Sequence, residues 1–330
     1  MKKLTYIKQE KIISFITKTT KKLNLKKKDN DFLIKSLVGS SMRGVDSHGI
    51  RLLPHYLKCL EQGRININPK MTFKLNMPSV GLLDADNGLG HSAAYLGSIK
   101  AIDIAKKNGV GIVGIINSSH YGAAGAYSLN IAEKGFIGLC FTHSDAFGIP
   151  FNGYKKFHGT NPYSFSSPLK KRKPLLVDFS TTLIPWNKVK RAKNNKNKLI
   201  KGVTMDKKGN ITTDPYLAKT LVPLGGKDFG HKGFGLSSSI EILCGPFLGM
   251  LHGLRLLPMN GPNFSIPRQL GHFVMAINIK SIVSKKKYFS NIENYIKDLK
   301  KQKSINHKIL YPGEKEWLEE ANRKKKWHTF

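Results

Sequence analysis

The chain has 330 residues, 40% hydrophobic and 23% charged, which suits a globular fold of one large domain or two closely joined ones. No apolar run approaches the roughly 18 residues of a membrane span, and the lysine-bearing start is cut off at Lys18 without a small-residue cleavage pattern, so neither a membrane anchor nor a secretory signal is expected. The formal charge of +34 is mostly lysine: only eight of 55 basic residues are arginine, and the short lysine runs lack the arginine forks or interleaved aromatics of a nucleic-acid surface. We expect solvated lysine faces and no specific nucleic-acid partner. Three cysteines, Cys59, Cys140 and Cys244, sit in apolar settings without a CxxC pair, which points to buried thiols in a reducing, cytoplasmic compartment.

In chain order, residues 8–22 place Ile12, Ile13, Ile16 and Leu23 on one stripe, predicting an amphipathic helix. A second helix is expected to start near Asp29 or Asn30, with either as its cap, and to run to Gly44. A third follows Pro54 and stops at Gly63. From Val80 the rhythm becomes strand, helix, strand, helix, strand through FIGLCFTHS, predicting an α/β domain with a largely parallel sheet. GTNPYSFSSP reads as turn, KPLLVDFSTT as a strand, and the stretch around KNNKNK as an exposed loop. SSSIEILCGPFLGML reads as a buried helix and GHFVMAINIK as the last strand, with helices over residues 292–301 and after Pro312.

Two histidine centres stand out. His48, in DSHG, precedes Gly49, whose missing side chain would let a substrate approach the ring; imidazole titrates near neutral pH and can give or take a proton. The competing reading is a histidine that punctuates a helix end. His120, in NSSHYGAAG, leaves a buried strand at the end where α/β sheets hold ligands, and could equally be bonded to a neighbouring carbonyl. GVGIVG has the letters of a dinucleotide fingerprint, but a helix precedes it and its glycines lie inside a strand. GHKGFGLSSS, with Lys232, is a candidate anion cradle at a helix start, or else a tight turn with its lysine in solvent. No histidine spacing suits a metal, and none is expected.

Taken together, DSHGIRLLPHYL, DADNGLGHSAA, GVGIVGIINSSHYGAAG, GTNPYSFSSP, VDFSTT, HKGFGL, LGHFVMAI and YPGE, in this order over about residues 8–320, resemble the malate/L-lactate dehydrogenase family, which is separate from the Rossmann-type enzymes. The resemblance implies an α/β fold with a non-Rossmann NAD(P)-binding sheet domain at residues 76–290. It also implies an N-terminal helical region at 1–75, completed by C-terminal helices at 291–330. It implies a homodimer that uses NAD or NADP to interconvert a small 2-hydroxy acid and its 2-oxo acid. Malate or lactate types lead, with ureidoglycolate or imino-acid types as alternatives. His48 and His120 match the acid–base pair. Ser144, Asp178, Ser180, Thr182, His231, Lys232, Gly313, Glu314 and Lys315 match cofactor positions. Leu52 stands where many members carry arginine, which leaves Arg51 or Arg43 as the candidate carboxylate anchor. Val203 and Thr204 replace the family's Trp-Ala, and the lysine-rich loop before them is poor in glycine. A competing class is a polyanion-binding protein that kept a dehydrogenase fold.

Overall fold

The computed structural model describes residues 7–327. Three helices open it: α1 (Gln9–Lys22), α2 (Lys27–Met42) and α3 (Leu53–Glu61). Ile16, Leu33, Leu37, Leu53, Tyr56 and Leu60 close one apolar cluster between them. Neither expected cap of α2 is one: the helix starts at Lys27, so Asp29 lies within its first turn, and Asn30 is buried, accepting a 2.7 Å hydrogen bond from the Thr20 hydroxyl.

Strands β1 (Thr72–Met77), β2 (Val80–Asp84), β3 (Val110–Ser118), β4 (Ile137–Thr142), β5 (Tyr163–Ser167), β6 (Leu175–Phe179) and β9 (Leu270–Ile277) form one sheet ordered β1-β2-β3-β9-β4-β5-β6. A largely parallel sheet was expected, and the order corrects this. β2 and β3 pair in parallel, but β9 inserts between β3 and β4 and runs antiparallel to both. The three strands of the sequence rhythm share a direction, and a strand from over a hundred residues later separates two of them. β1 and β5 also escape the pattern: β1 is mostly exposed, and β5 alternates serines with aromatics inside the stretch read as turn.

Alternation sorts the sheet's two faces. Val113, Ile115, Cys140, Val274 and Ala276 face α4 (Gly90–Asn108) and α5 (Gly125–Ala132). Phe141 and Phe273 face α7 (Gly226–Cys244) through Ile240 and Cys244. The GVGIVG glycines serve this packing: a Cβ on Gly111 would lie 2.1 Å from the Ala101 carbonyl oxygen, and one on Gly114 2.5 Å from Leu248.

The lysine-rich stretch is not wholly loop: α6 (Trp186–Asn195) covers half of it and buries Val189 and Ala192 beside the small hairpin of β7 (Thr204–Met205) and β8 (Thr220–Leu221). At the C-terminus α8 (Lys285–Lys301) packs on β5 and β6. α9 (Glu314–Trp327) returns to α2, where Arg323 donates to the Ser41 carbonyl and to Asp46, both at 2.6 Å. All three cysteines are buried and free.

Candidate active site

His48 ends a 3₁₀ turn (Asp46–His48) that leaves α2, and His120 follows the carboxyl end of β3. Their rings stack with centroids 6.0 Å apart and planes 20° from parallel. Gly49 is required for a different reason than the one expected: its Cβ would fall 2.1 Å from the Ser41 hydroxyl, so it lets the turn lie against α2. The Ser41 hydroxyl also accepts from the Ile50 amide at 2.9 Å.

Each ring is held through its Nδ1. That of His48 lies 2.9 Å from the Ser47 hydroxyl, while the Ser47 carbonyl accepts from Asn187 of α6 at 3.0 Å. The Nδ1 of His120 lies 2.6 Å from the Tyr56 hydroxyl and accepts from the Gly122 amide at 3.4 Å. An amide can only donate, so Nδ1 of His120 is an acceptor, the Tyr56 hydroxyl donates to it, and Nε2 carries the ring proton. Burial raises the Tyr56 phenol well above its usual range, which keeps that donor in place. Burial also lowers His48 to about 4 and His120 well below the ordinary histidine value, the latter reinforced by His48. Both rings are neutral at pH 7.

His48 opens onto a cavity of about 440 Å³, whose walls include Ser47, Gly122, Thr160, Phe179 and Leu224. Asp178, Ser180 and Thr182 line it too. A second cavity of about 190 Å³ shares Val45, Ala123 and Asp178 with the first and adds Arg43 and Gly313. Asp178 therefore faces both. Its Oδ2 accepts from the Gly125 amide at the start of α5 at 2.9 Å, and burial pushes its carboxyl up to about 6 against the opposing pull of that amide and Arg43. Gly313 has φ +91°, and a Cβ there would lie 2.7 Å from the Leu176 amide nitrogen, so only glycine suits this passage along β6.

The other expected residues divide. Ser144 braces the wall, its hydroxyl accepting from the Thr160 amide at 3.2 Å. Glu314, the first residue of α9, pairs with Lys300 and accepts from the Tyr311 amide at 3.1 Å, and Lys315 is exposed. Arg43 stacks toward Trp317 at the second cavity, and Arg51 is exposed on the side of Lys190. The glycine-rich cradle is corrected: α7 already begins at Gly226, so the amides around Lys232 are spent within the helix. Lys232 is exposed over the Phe229 ring at 5.2 Å, and His231 meets Phe151 edge-on. Sequence reasoning placed Tyr56 only on its helix and gave no role to its contact with a histidine 64 positions away.

The family model described as malate/L-lactate dehydrogenase matches residues 7–326. The chain belongs to that family. This dehydrogenase is 33% identical over 328 residues to the malate dehydrogenase of Pyrococcus abyssi, covering 97% of this chain and 89% of that one. It is 30% identical over 292 residues to the ureidoglycolate dehydrogenase (NAD(+)) of Escherichia coli K12, covering 88% and 82%. The solved malate dehydrogenase of Pyrococcus horikoshii OT3 superposes with a TM-score of 0.87 at 32% identity, over 97% and 90% of the two chains. The enzyme is thus a 2-hydroxy acid dehydrogenase working with a nicotinamide cofactor. The two adjoining cavities fit such a dinucleotide: Phe179, Leu183 and Leu224 offer apolar wall, Asp178 and Ser180 offer partners for hydroxyls, and His48 stands in the same larger cavity. No helix among the described residues is long and apolar enough to cross a membrane.

Proposed function

We propose that the enzyme interconverts a small 2-oxo acid and its 2-hydroxy acid, with His48 moving the proton at the substrate oxygen and His120 polarising that oxygen. The bound nicotinamide supplies or takes the hydride at C2. One observation carries the division of labour: two donors occupy Nδ1 of His120, so its Nε2–H is a fixed hydrogen-bond donor and no base. His48, neutral above about pH 4 and set by a hydroxyl that can donate or accept, is free to take the alcohol proton in oxidation and return it in reduction. Asp178, Ser180, Thr182 and Gly313 hold the cofactor in this reading, supported by their place around the joined cavities.

The test is the absorbance change at 340 nm with NADH and NADPH against oxaloacetate, pyruvate and other 2-oxo acids. His48→Asn should lower turnover by about 10²- to 10⁴-fold. Turnover within about threefold of wild type would refute the assignment. We also propose a homodimer, supported by the exposed apolar side chains Ile242, Phe247, Leu251 and Leu254 on and after α7. Light scattering on the eluted protein reads its mass directly.

A further inference from the structure

Beside the histidine pair lies a cluster that the proposed chemistry does not use. Arg268, just before β9, is 4% exposed. Its Nη2 pairs with Asp145 at 2.5 Å and its Nε donates to the Leu257 carbonyl at 2.8 Å, while its Nη1 is buried with no partner among the described residues. Lys190, one turn along α6 from Asn187, is half-buried and makes no ion pair or hydrogen bond among the described residues. Arg64 completes the group: its Nη1 donates to the carbonyls of Pro258 and Met259 and its Nη2 to that of Asn263, while its Nε is buried with no partner among the described residues. Three cations thus share one carboxylate, and His55 beside them is held at about 4, by burial first and then by Arg268, Arg64 and Lys190. Buried charge is ordinarily paired, and buried donors are ordinarily bonded. Arg268 Nη1 and Arg64 Nε have no bond and the half-buried Lys190 ammonium has no partner among the described residues, so the cluster has unspent donors and a surplus of positive charge.

The cluster adjoins the reaction centre. Asn187 fixes Ser47, Tyr56 fixes His120, and His55 is the neighbour of Tyr56 on α3, with ring centroids 5.6 Å apart. Arg268 is near enough to His120 to disfavour its protonation.

We propose that Lys190 and Arg268 bind a second anionic group of the substrate, a carboxylate or sulfonate beyond the carboxylate next to the reacting carbon. The enzyme then selects diacids over monoacids. This rests on the oxidoreductase reading above. An acid group entering here offsets part of the surplus and bonds the free Nη1. A neutral or methyl-ended substrate leaves the Lys190 ammonium and Arg268 Nη1 without a partner and is disfavoured.

The probes are oxaloacetate and pyruvate, which differ by one carboxylate, and malonate, a diacid that cannot react. Wild type should prefer oxaloacetate in kcat/KM by about 10- to 100-fold, the worth of one or two charge-assisted hydrogen bonds. Lys190→Met, at an unbonded position, should cut that preference about tenfold or more, chiefly through KM, and Lys190→Arg should restore much of it. Malonate should raise the melting temperature of the cofactor-free wild type and not that of Lys190→Met. Equal use of the two oxo acids by wild type overturns the proposal, as does a parallel fall for both in the variant. So does a malonate shift that is absent in wild type or survives the substitution. Inactivity of wild type on every 2-oxo acid with either cofactor instead removes the oxidoreductase reading, and the malonate result then decides the anion site alone.

Discussion

The Tyr56 hydroxyl donates to Nδ1 of His120 across 2.6 Å, from a phenol with no solvent exposure. That bond fixes which nitrogen the second histidine turns to the substrate. Nδ1 faces the protein and the protonated Nε2 is left free, so a neutral ring acts as a polarising donor. The same buried surroundings that keep the ring neutral also keep the phenol protonated.

Tyr56→Phe should therefore reduce kcat about tenfold, the worth of one buried hydrogen bond of roughly 1–1.5 kcal/mol, and leave cofactor affinity close to wild type. The ring stays, so its packing on His120 and His91 survives. Steady-state kinetics with saturating cofactor checks this. A variant with unaltered kcat would mean that the tautomer is set elsewhere.

Stability should fall steeply as the solution is acidified from about pH 6.5 to 4. Burial holds His48 and His55 at about 4 and His91 and His272 at about 3, below the unfolded value of about 6.5. Within this window the unfolded rings bind protons that the folded rings refuse, so each step down in pH favours unfolding. Asp178 opposes them: held at about 6, it is protonated in the fold while still ionised in the unfolded chain, but it is one group against these four and against His120 and His158, which burial also lowers. Urea midpoints at pH 5 should lie well below those at pH 7. His91→Phe should flatten the dependence, because neither ring nitrogen of His91 has a partner to lose.

Cofactor affinity should carry its own pH signature. If Asp178 accepts hydroxyl groups of the dinucleotide, it must be ionised to do so fully, and its carboxyl is held at about 6. The Kd for NADH, read by fluorescence titration, should then fall as pH rises from 5 to 7. Asp178→Asn should weaken binding about tenfold and abolish the pH dependence. A titration that keeps its slope in the variant would assign the proton elsewhere.

Much of this molecule could be read from the chain because the signals were local. The stripe of Ile12, Ile13 and Ile16, the glycine after α4 and the apolar run of β3 each announce their element within a few residues. His48 and His120 were legible as candidates for the same reason. The failures are of two kinds. β5 and β1 are strands whose polar or exposed positions hide the apolar alternation, and α7 is a helix whose glycines mimic a loop. The others are meetings between distant segments: β9 between β3 and β4, Tyr56 on His120, Arg268 on Asp145. No periodicity encodes such a contact, since each partner's local pattern is satisfied by ordinary burial.

The wall behind the cavity depends on a buried carboxylate, and removing its charge should cost the fold more than the chemistry. Glu241 of α7 is 4% exposed and accepts three hydrogen bonds, from His143 Nδ1 at 3.1 Å, Asn161 Nδ2 at 2.7 Å and the Gly253 amide at 2.9 Å. His143 in turn accepts from the Gly271 amide at 2.9 Å through Nε2, so its Nδ1 carries the proton that Glu241 receives. All three partners of Glu241 are donors. Glu241→Gln places an amide NH₂ against at least one of them, and the clash is relieved only at a cost, by moving the backbone or by turning over the Asn161 amide, which gives up its Nδ2 bonds to Ser237. The expected loss is about 3 kcal/mol, at the low end for breaking a buried charged network. A fall in the urea midpoint at constant slope would measure it. His143 and Asn161 flank Ser144 and Thr160 in the chain, and Thr160 lines the main cavity. The surviving folded fraction should therefore bind NADH more weakly as well, and a destabilised variant with wild-type affinity would show that the network holds the sheet alone.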